Sequence, residues 1–255
     1  MADEQDTGGT PADRVTAALL VIGDEILSGR TKDKNIGYIA EHLTKIGIEL
    51  REVRIVPDAE TAIIESVVTL RCLHTYLFTT GGIGPTHDDI TAESIAKALG
   101  VEIGIDPRAL AILTGHYGKR GLELTAPRLR MARIPVGAQL VENSISAAPG
   151  FMIANVIVMA GVPSIMQVML DAVTPRLKTG RPMRSLSIDL SVPEGEIAEL
   201  LADHQKTFPD VAMGSYPTLR AGYPATQLVL RSTDEARCND AAEGLEAKLR
   251  ARRLL

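Results

Sequence analysis

Short apolar runs alternate with amphipathic stretches over the first hundred residues. This alternation restricts the fold more than any other feature of the chain. The runs are TAALLVIG (16–23), IELREVRIV (48–56) and HTYLFTT (74–80). After the first comes a loop, DEILSGRTKDK. Then Ile36, Ile39, Ala40, Leu43 and Ile46 recur at helical spacing, and Gly47 supplies the stop. After the second, Ala62, Ile63, Val67 and Leu70 share one helical face, with Asp58 read as the N-cap. After the third lies a glycine-rich loop and then TAESIAKALG, a helix stopped by Gly100. Strands that alternate with helices of about 10–15 residues require a parallel sheet with helices on both faces. The expected class is therefore α/β, three-layered and mostly parallel.

The pattern then loosens. Residues 106–133 read as mostly helical, interrupted by Gly115, Gly118 and Gly121. The stretch 138–161 reads as a hairpin-like excursion into a last buried strand, Val156 to Met159, followed by a helix carrying Val162, Ile165, Met169 and Val173. KTGRP (178–182) reads as a linker. Beyond it, RSLSIDLS alternates apolar and polar residues, and a helix, two more strands and a terminal helix from Asp234 follow. Three segments are thus expected: a disordered leader over 1–14, a large domain over 15–178 and a small α+β module over 184–255. About 70 residues make a thin core, so self-association is expected of the small module.

The loop after the third strand, GGIGPTHDDIT (81–91), is the candidate site. It leaves the carboxyl end of a strand and enters a helix, where open parallel sheets hold their ligands. Gly81, Gly82 and Gly84 permit close backbone approach. With Ile83 they offer successive N–H groups to an anion, and the helix N-terminus adds partial positive charge. Pro85 stiffens the turn, and Thr86 and Thr91 bring hydroxyls that can donate to phosphate or cap the helix. Asp88 and Asp89 would repel phosphate unless one caps the helix and the other holds a divalent cation or serves as general base. The sequence leaves that assignment open. At the same sheet edge, Gly23, Asp24 and Glu25 end the first strand: Asp24 is a candidate metal ligand, and Glu25 a candidate acid for a metal site or for catalysis. Ser146 belongs to a ligand-side turn before the last strand, and Gly161, Pro163 and Ser164 after it repeat the strand-to-helix geometry; together they complete the candidate phosphate-binding set. The motif is neither a GK[ST] phosphate loop nor a GxGxxG fingerprint.

TTGGIGPTHDDIT resembles the signature of the MoaB/Mog molybdopterin-binding domain, which CinA-type proteins share. IGDEILSGRTKDKNIGYIAEHLTKIGIELREVRIVPDA, SAAPGF and MAGVPSIM are similar to further segments of the CinA group, so the resemblance runs from Thr16 to Leu177. It implies a Rossmann-like three-layer domain and an anionic pterin or nucleotide ligand. The CinA branch implies a pyrophosphatase on ADP-ribose or FAD that depends on a divalent metal (Mg, Mn or Co). The Mog branch implies adenylylation of molybdopterin instead. Two positions depart from the pattern: Ile165 stands where the group has Glu, and Ala160 where it has Pro. If that Glu serves the metal or the water, binding without turnover is expected.

Composition removes other classes. Aromatics are 3% of the 255 residues and Trp is absent, so base-stacking platforms are not expected. The net charge of −5 gives no basic field for a polynucleotide, and no nucleic-acid partner is expected. No run reaches 18 apolar residues, so no membrane span is expected, and the acidic N-terminus lacks a signal-peptide core. A cytoplasmic homo-oligomer, dimer or trimer, binding a small phosphorylated molecule is the resulting expectation. Cys72 and Cys238 are too far apart in sequence to indicate a disulfide framework or a zinc motif.

Overall fold

A computed structural model describes residues 14–255. The leader expected over 1–14 therefore lies, Arg14 excepted, outside the described residues. The chain divides into two compact units, one formed by Val15–Thr44 with Ile48–Thr179 and the other carried by Gly180–Leu255.

The first unit is built on a six-stranded sheet. Its strands are β1 (Val15–Ile22), β2 (Ile48–Val56), β3 (Tyr76–Thr80), β6 (Gln139–Val141), β7 (Gly150–Ile153) and β8 (Val156–Met159), in the order β2-β1-β3-β8-β7-β6. The first four in that order run parallel, and β7 and β6 add an antiparallel hairpin. The helices are α1 (Asp24–Leu27), α2 (Asn35–Lys45), α3 (Glu60–Leu73), α4 (Thr91–Leu99), α5 (Pro107–Lys119), α6 (Ala126–Arg130) and α7 (Pro163–Val173). A separate two-stranded ribbon pairs β4 (Ile103–Ile105) with β5 (Arg133–Pro135).

Side-chain alternation along β1 explains the layering. Ala18, Leu20 and Ile22 join Ile63, Val67 and Leu70 of α3, Ile95 of α4 and Leu113 of α5 in one apolar cluster. Ala17, Leu19 and Val21 point to the opposite face. That face is served by α2 and α7, which bury Ile39, Leu43, Met166, Met169 and Leu170 and are linked by His42 Nε2 to Thr174 Oγ1 at 2.8 Å. Each fully buried Leu or Ile contributes about 1.5–3 kcal/mol.

The chain moves from β1 to β2 on one side and then over to β3 on the other. Strand order thus reverses between β1 and β3, and at such a reversal the connecting loops part to leave a crevice beyond the carboxyl ends.

Three local readings change. The segment after β1 is not wholly a loop, because Asp24–Leu27 closes one turn of helix. Residues 106–133 are less helical than their composition indicates. Gly115 and Gly118 lie inside α5, which Asp106 caps by accepting from Arg108 N and Ala109 N, and Arg133 begins β5. Asp58 does not cap α3, since the cap position is Ala59 without a side-chain bond.

The second unit contains β9 (Arg184–Leu190), β10 (Ala212–Arg220) and β11 (Tyr223–Ser232), an antiparallel sheet in the order β10-β11-β9, with α8 (Ala198–Thr207) and α9 (Glu235–Ala251). Its core is Ile188, Leu190, Leu200, Leu228, Leu230, Leu245 and their neighbours. His204 is buried in it, with Nε2 2.8 Å from the Ala241 carbonyl and Nδ1 2.9 Å from Lys248 Nζ. Nδ1 therefore accepts from the ammonium, and a proton there would meet a like charge. Burial, opposed by the bond to Ala241 and reinforced by Lys248, pulls the His204 pKa below its ordinary value. A group whose folded pKa is depressed lends stability above its unfolded pKa and withdraws it as pH falls. We therefore expect the melting temperature of this unit to fall as pH drops below about 6.5. The slope should flatten in His204→Gln, as thermal melts across pH would read. An unchanged slope in the variant would refute this.

Candidate functional site

β1, β3 and β8 end side by side, and three loops leave their carboxyl ends. Gly81 follows β3 at φ 103°. A Cβ there would strike the Ile22 carbonyl oxygen of β1, so close strand exit demands glycine. Gly82, at φ 65°, lies against the Thr91 hydroxyl in the same way. Thr91 is fully buried, and its Oγ1 donates to the Gly81 carbonyl at 3.0 Å while its N–H donates to Gly82 O at 3.0 Å. Both groups are thus used to hold the loop, and Thr91 offers no hydroxyl to a ligand.

The acids are placed differently from the helix-cap expectation. The cap position of α4 is Ile90, and neither Asp88 nor Asp89 bonds the helix N-terminus. Asp89 Oδ2 instead accepts from Thr86 N at 2.7 Å and from the Thr86 hydroxyl, closing a turn of its own. Thr86 is thereby occupied. Asp88 is exposed beside His87, whose side chain is 97% exposed.

A cleft of about 500 Å³ opens over these loops. Glu25, Gly81 to Pro85, Asp89, Ser146, Gly161 and Pro163 line it. Met131, Ile165 and Met169 give it an apolar wall. Of the predicted residues, Gly23, Asp24, Thr86, Asp88, Thr91 and Ser164 lie outside its wall. Ser164 is exposed, and Ser146 shares its hydroxyl with Asn143 Nδ2 at 2.6 Å. Ile165, at the position where the resemblance expects Glu, faces the cleft. On the side of α6, Arg130 Nη2 reaches the Asp89 carbonyl at 3.3 Å.

Asp58 belongs to this edge in a way its neighbours in sequence do not reveal. Its Oδ2 accepts from Asp24 N at 2.9 Å, 34 residues away, and so ties the exit of β1 to the exit of β2. Burial raises its pKa first, and the nearby charges of Asp24, Glu25 and Asp88 add to the rise despite the bond from Asp24 N. Four acids thus crowd one rim and repel one another. Among the described residues no three His, Cys, Asp or Glu converge as a closed metal site. Mg²⁺ needs no such site: one or two carboxylates, substrate phosphate oxygens and water suffice. The donor set fits a cation completed by its substrate, not one held by protein alone.

Asn35 is the first residue of α2. It is buried, and its Nδ2 donates to the Gly161 carbonyl at 2.8 Å, joining the first loop to the last. Asp33 Oδ1 caps α2 by accepting from Asn35 N at 3.0 Å and Ile36 N at 2.8 Å.

A family profile described as "Probable molybdopterin binding domain" matches residues 18–179, well over half of the chain. The chain belongs to the MoaB/Mog molybdopterin-binding domain family. A second profile, for the FAD synthase middle domain, matches residues 182–255. A protein of Aeropyrum pernix is 35% identical over 251 residues, spanning 93% of this chain and 92% of its own length. A CinA-like protein of Desulfosudis oleivorans is 34% identical over 209 residues, 78% of this chain and 51% of its own length. The crystal structure of CinA from Thermoplasma acidophilum superposes with a TM-score of 0.59 at 34% identity, covering 64% of this chain and 98% of that one. The MoaB/Mog fold and CinA-like character of the first unit are thereby established. Among the described residues no helix is long and apolar enough to cross a membrane.

Proposed function

We propose that the cleft binds a pyrophosphate-containing adenine nucleotide of the ADP-ribose or FAD type and hydrolyses it with the help of a divalent metal. The observation that carries this reading is one cleft that joins the glycine-lined exit of β3 to two carboxylates, Glu25 and Asp89. The main-chain amides of Gly82 to Gly84 would receive the phosphate oxygens. Asp89 braces that turn through Thr86 and leaves Oδ1 for a cation. Mg²⁺, Mn²⁺ or Co²⁺ held by one or two of Asp24, Asp88 and Asp89 would neutralise charge growing on the diphosphate. Glu25, in the cleft wall, is the candidate to take the proton from the attacking water. The FAD synthase profile on the second unit supports a flavin dinucleotide over a simple nucleotide. A homo-oligomer, dimer or trimer, is part of the same reading.

A second reading, binding without turnover, is favoured by Ile165 in the cleft wall where the group has Glu. Assays of ADP-ribose, FAD and NAD with each of the three metals decide between the two. Metal-dependent release of a mononucleotide is the expected result. Measurable nucleotide or pterin binding with no product under any metal would replace hydrolysis by the binding reading. ATP consumption that needs molybdopterin would assign an adenylyltransferase.

A further inference from the structure

Beside the cleft lies a recess of about 60 Å³ whose polar wall is not fully used by the protein. Glu25, Thr31, Gly161 and Pro163 line both spaces, so they adjoin. Thr80, the last residue of β3, and Asn35 also line the recess. Thr80 is 1% exposed and Asn35 4%. Thr80 Oγ1 and Asn35 Oδ1 are both buried without a hydrogen-bond partner. Asn35 Nδ2 is fixed on Gly161 O, which leaves Oδ1 as the acceptor.

Buried polar atoms are nearly always paired, and an unpaired one calls for an unseen partner. The partner accepts a hydrogen bond from the Thr80 hydroxyl and donates one to the Asn35 amide oxygen. Two adjacent hydroxyls do both, since each is donor and acceptor. The recess has room for only a handful of water-sized groups, too few for a purine ring. It opens onto the cleft beside the glycine-lined loop. Lys32 and Lys34 stand at its wall beside Glu25 and Asp33, so the lining carries no net formal charge and selects by hydrogen bonding.

We propose that this recess reads the vicinal hydroxyls of a ribose attached to the diphosphate, with Thr80 and Asn35 as its specificity residues. The inference deepens the nucleotide reading above and rests on it. It predicts discrimination of ribonucleotides from their deoxy forms. Removing both hydroxyls leaves the two buried atoms unpaired again, which lowers affinity about 10- to 100-fold.

Calorimetric titrations of the full chain with Mg²⁺ test it, using inorganic pyrophosphate, ADP and 2′,3′-dideoxy-ADP as probes. ADP should bind at least tenfold tighter than dideoxy-ADP. In Thr80→Val that ratio should collapse toward one while pyrophosphate binds as before, and Thr80→Ser should restore it. The valine variant should also melt higher without ligand, because an unpaired buried hydroxyl is replaced by a methyl of similar shape. Pyrophosphate binding with equal affinity for ADP and dideoxy-ADP would overturn the ribose subsite and spare the phosphate cradle; bridging water would then satisfy the two atoms. A ratio that survives in Thr80→Val likewise overturns it. Absence of binding by all three probes would discard the cradle and the subsite together.

Discussion

Gly81→Ala is expected to destabilise the first unit by about 2–5 kcal/mol and to abolish nucleotide binding. Two costs add. Gly81 has φ 103°, a region that residues bearing a Cβ occupy only under strain of about 1–2 kcal/mol. The new methyl would also press on the Ile22 carbonyl, and forcing a well-packed backbone apart costs about 1–3 kcal/mol more. The obstacle is main chain, held by the pairing of Ile22 with Val56 of β2, so no rotamer change relieves it. Urea unfolding of the variant checks the first number, and pyrophosphate titration checks the second. A variant that melts like the parent would mean that β3 leaves the sheet by some other path. Gly100→Ala is the control, for it too has positive φ but nothing within 4 Å of the added carbon. It should lose only the strain portion.

The second large effect concerns Asp89. Its carboxylate both closes the loop on Thr86 and lines the cleft, and replacement by alanine removes both roles at once. On the hydrolytic reading, turnover of ADP-ribose or FAD should fall about 10²- to 10³-fold, the usual cost of losing one preorganised electrostatic group. Asp89→Asn separates the roles. Its side-chain oxygen can still accept from Thr86 N, so the loop stands while the charge is gone. Comparable loss in both variants, with the melting temperature kept in the asparagine form, places the negative charge in the chemistry. Full activity in Asp89→Asn would show the residue to be a brace, and the search for the metal carboxylates would move to Asp24 and Asp88.

Much of the first unit was legible because its central strands β1, β3 and β8 are buried on both faces. Runs such as LLVI and YLFTT fit the interior strands of an α/β sheet, and helices of opposite faces show 3.6-residue stripes. The short strands β4 and β5 were not legible. IGI and RIP hold three residues each, one with Gly and one with Pro, and they exist because they pair with each other across some thirty residues. Gly115 and Gly118 misled in the opposite sense: Ala109 and Leu113 pack against the core and carry α5 through them.

At the candidate site, the glycine loop could be read because close backbone exit leaves its mark in residue type. Its partners could not. Asp58 and Asp89 have the composition of helix caps, yet one accepts from Asp24 and the other from Thr86. Only tertiary placement distinguishes an aspartate that caps from one that clamps. The same holds for Asn35 and Thr80, whose unpaired atoms come into view only once the strands are side by side.

The nearness of two glycines has a last consequence. A Cβ on Gly161 would stand 3.3 Å from the Gly81 Cα, so the exits of β3 and β8 touch main chain to main chain. The floor between them is therefore as wide as the spacing of neighbouring strands, about 4.8 Å. Side-chain drift over generations cannot broaden or narrow it. Ligand preference is therefore set in the walls, at Ile83, Met131, Ile165 and Met169, and in the adjoining recess at Thr80 and Asn35, above a base made of main chain.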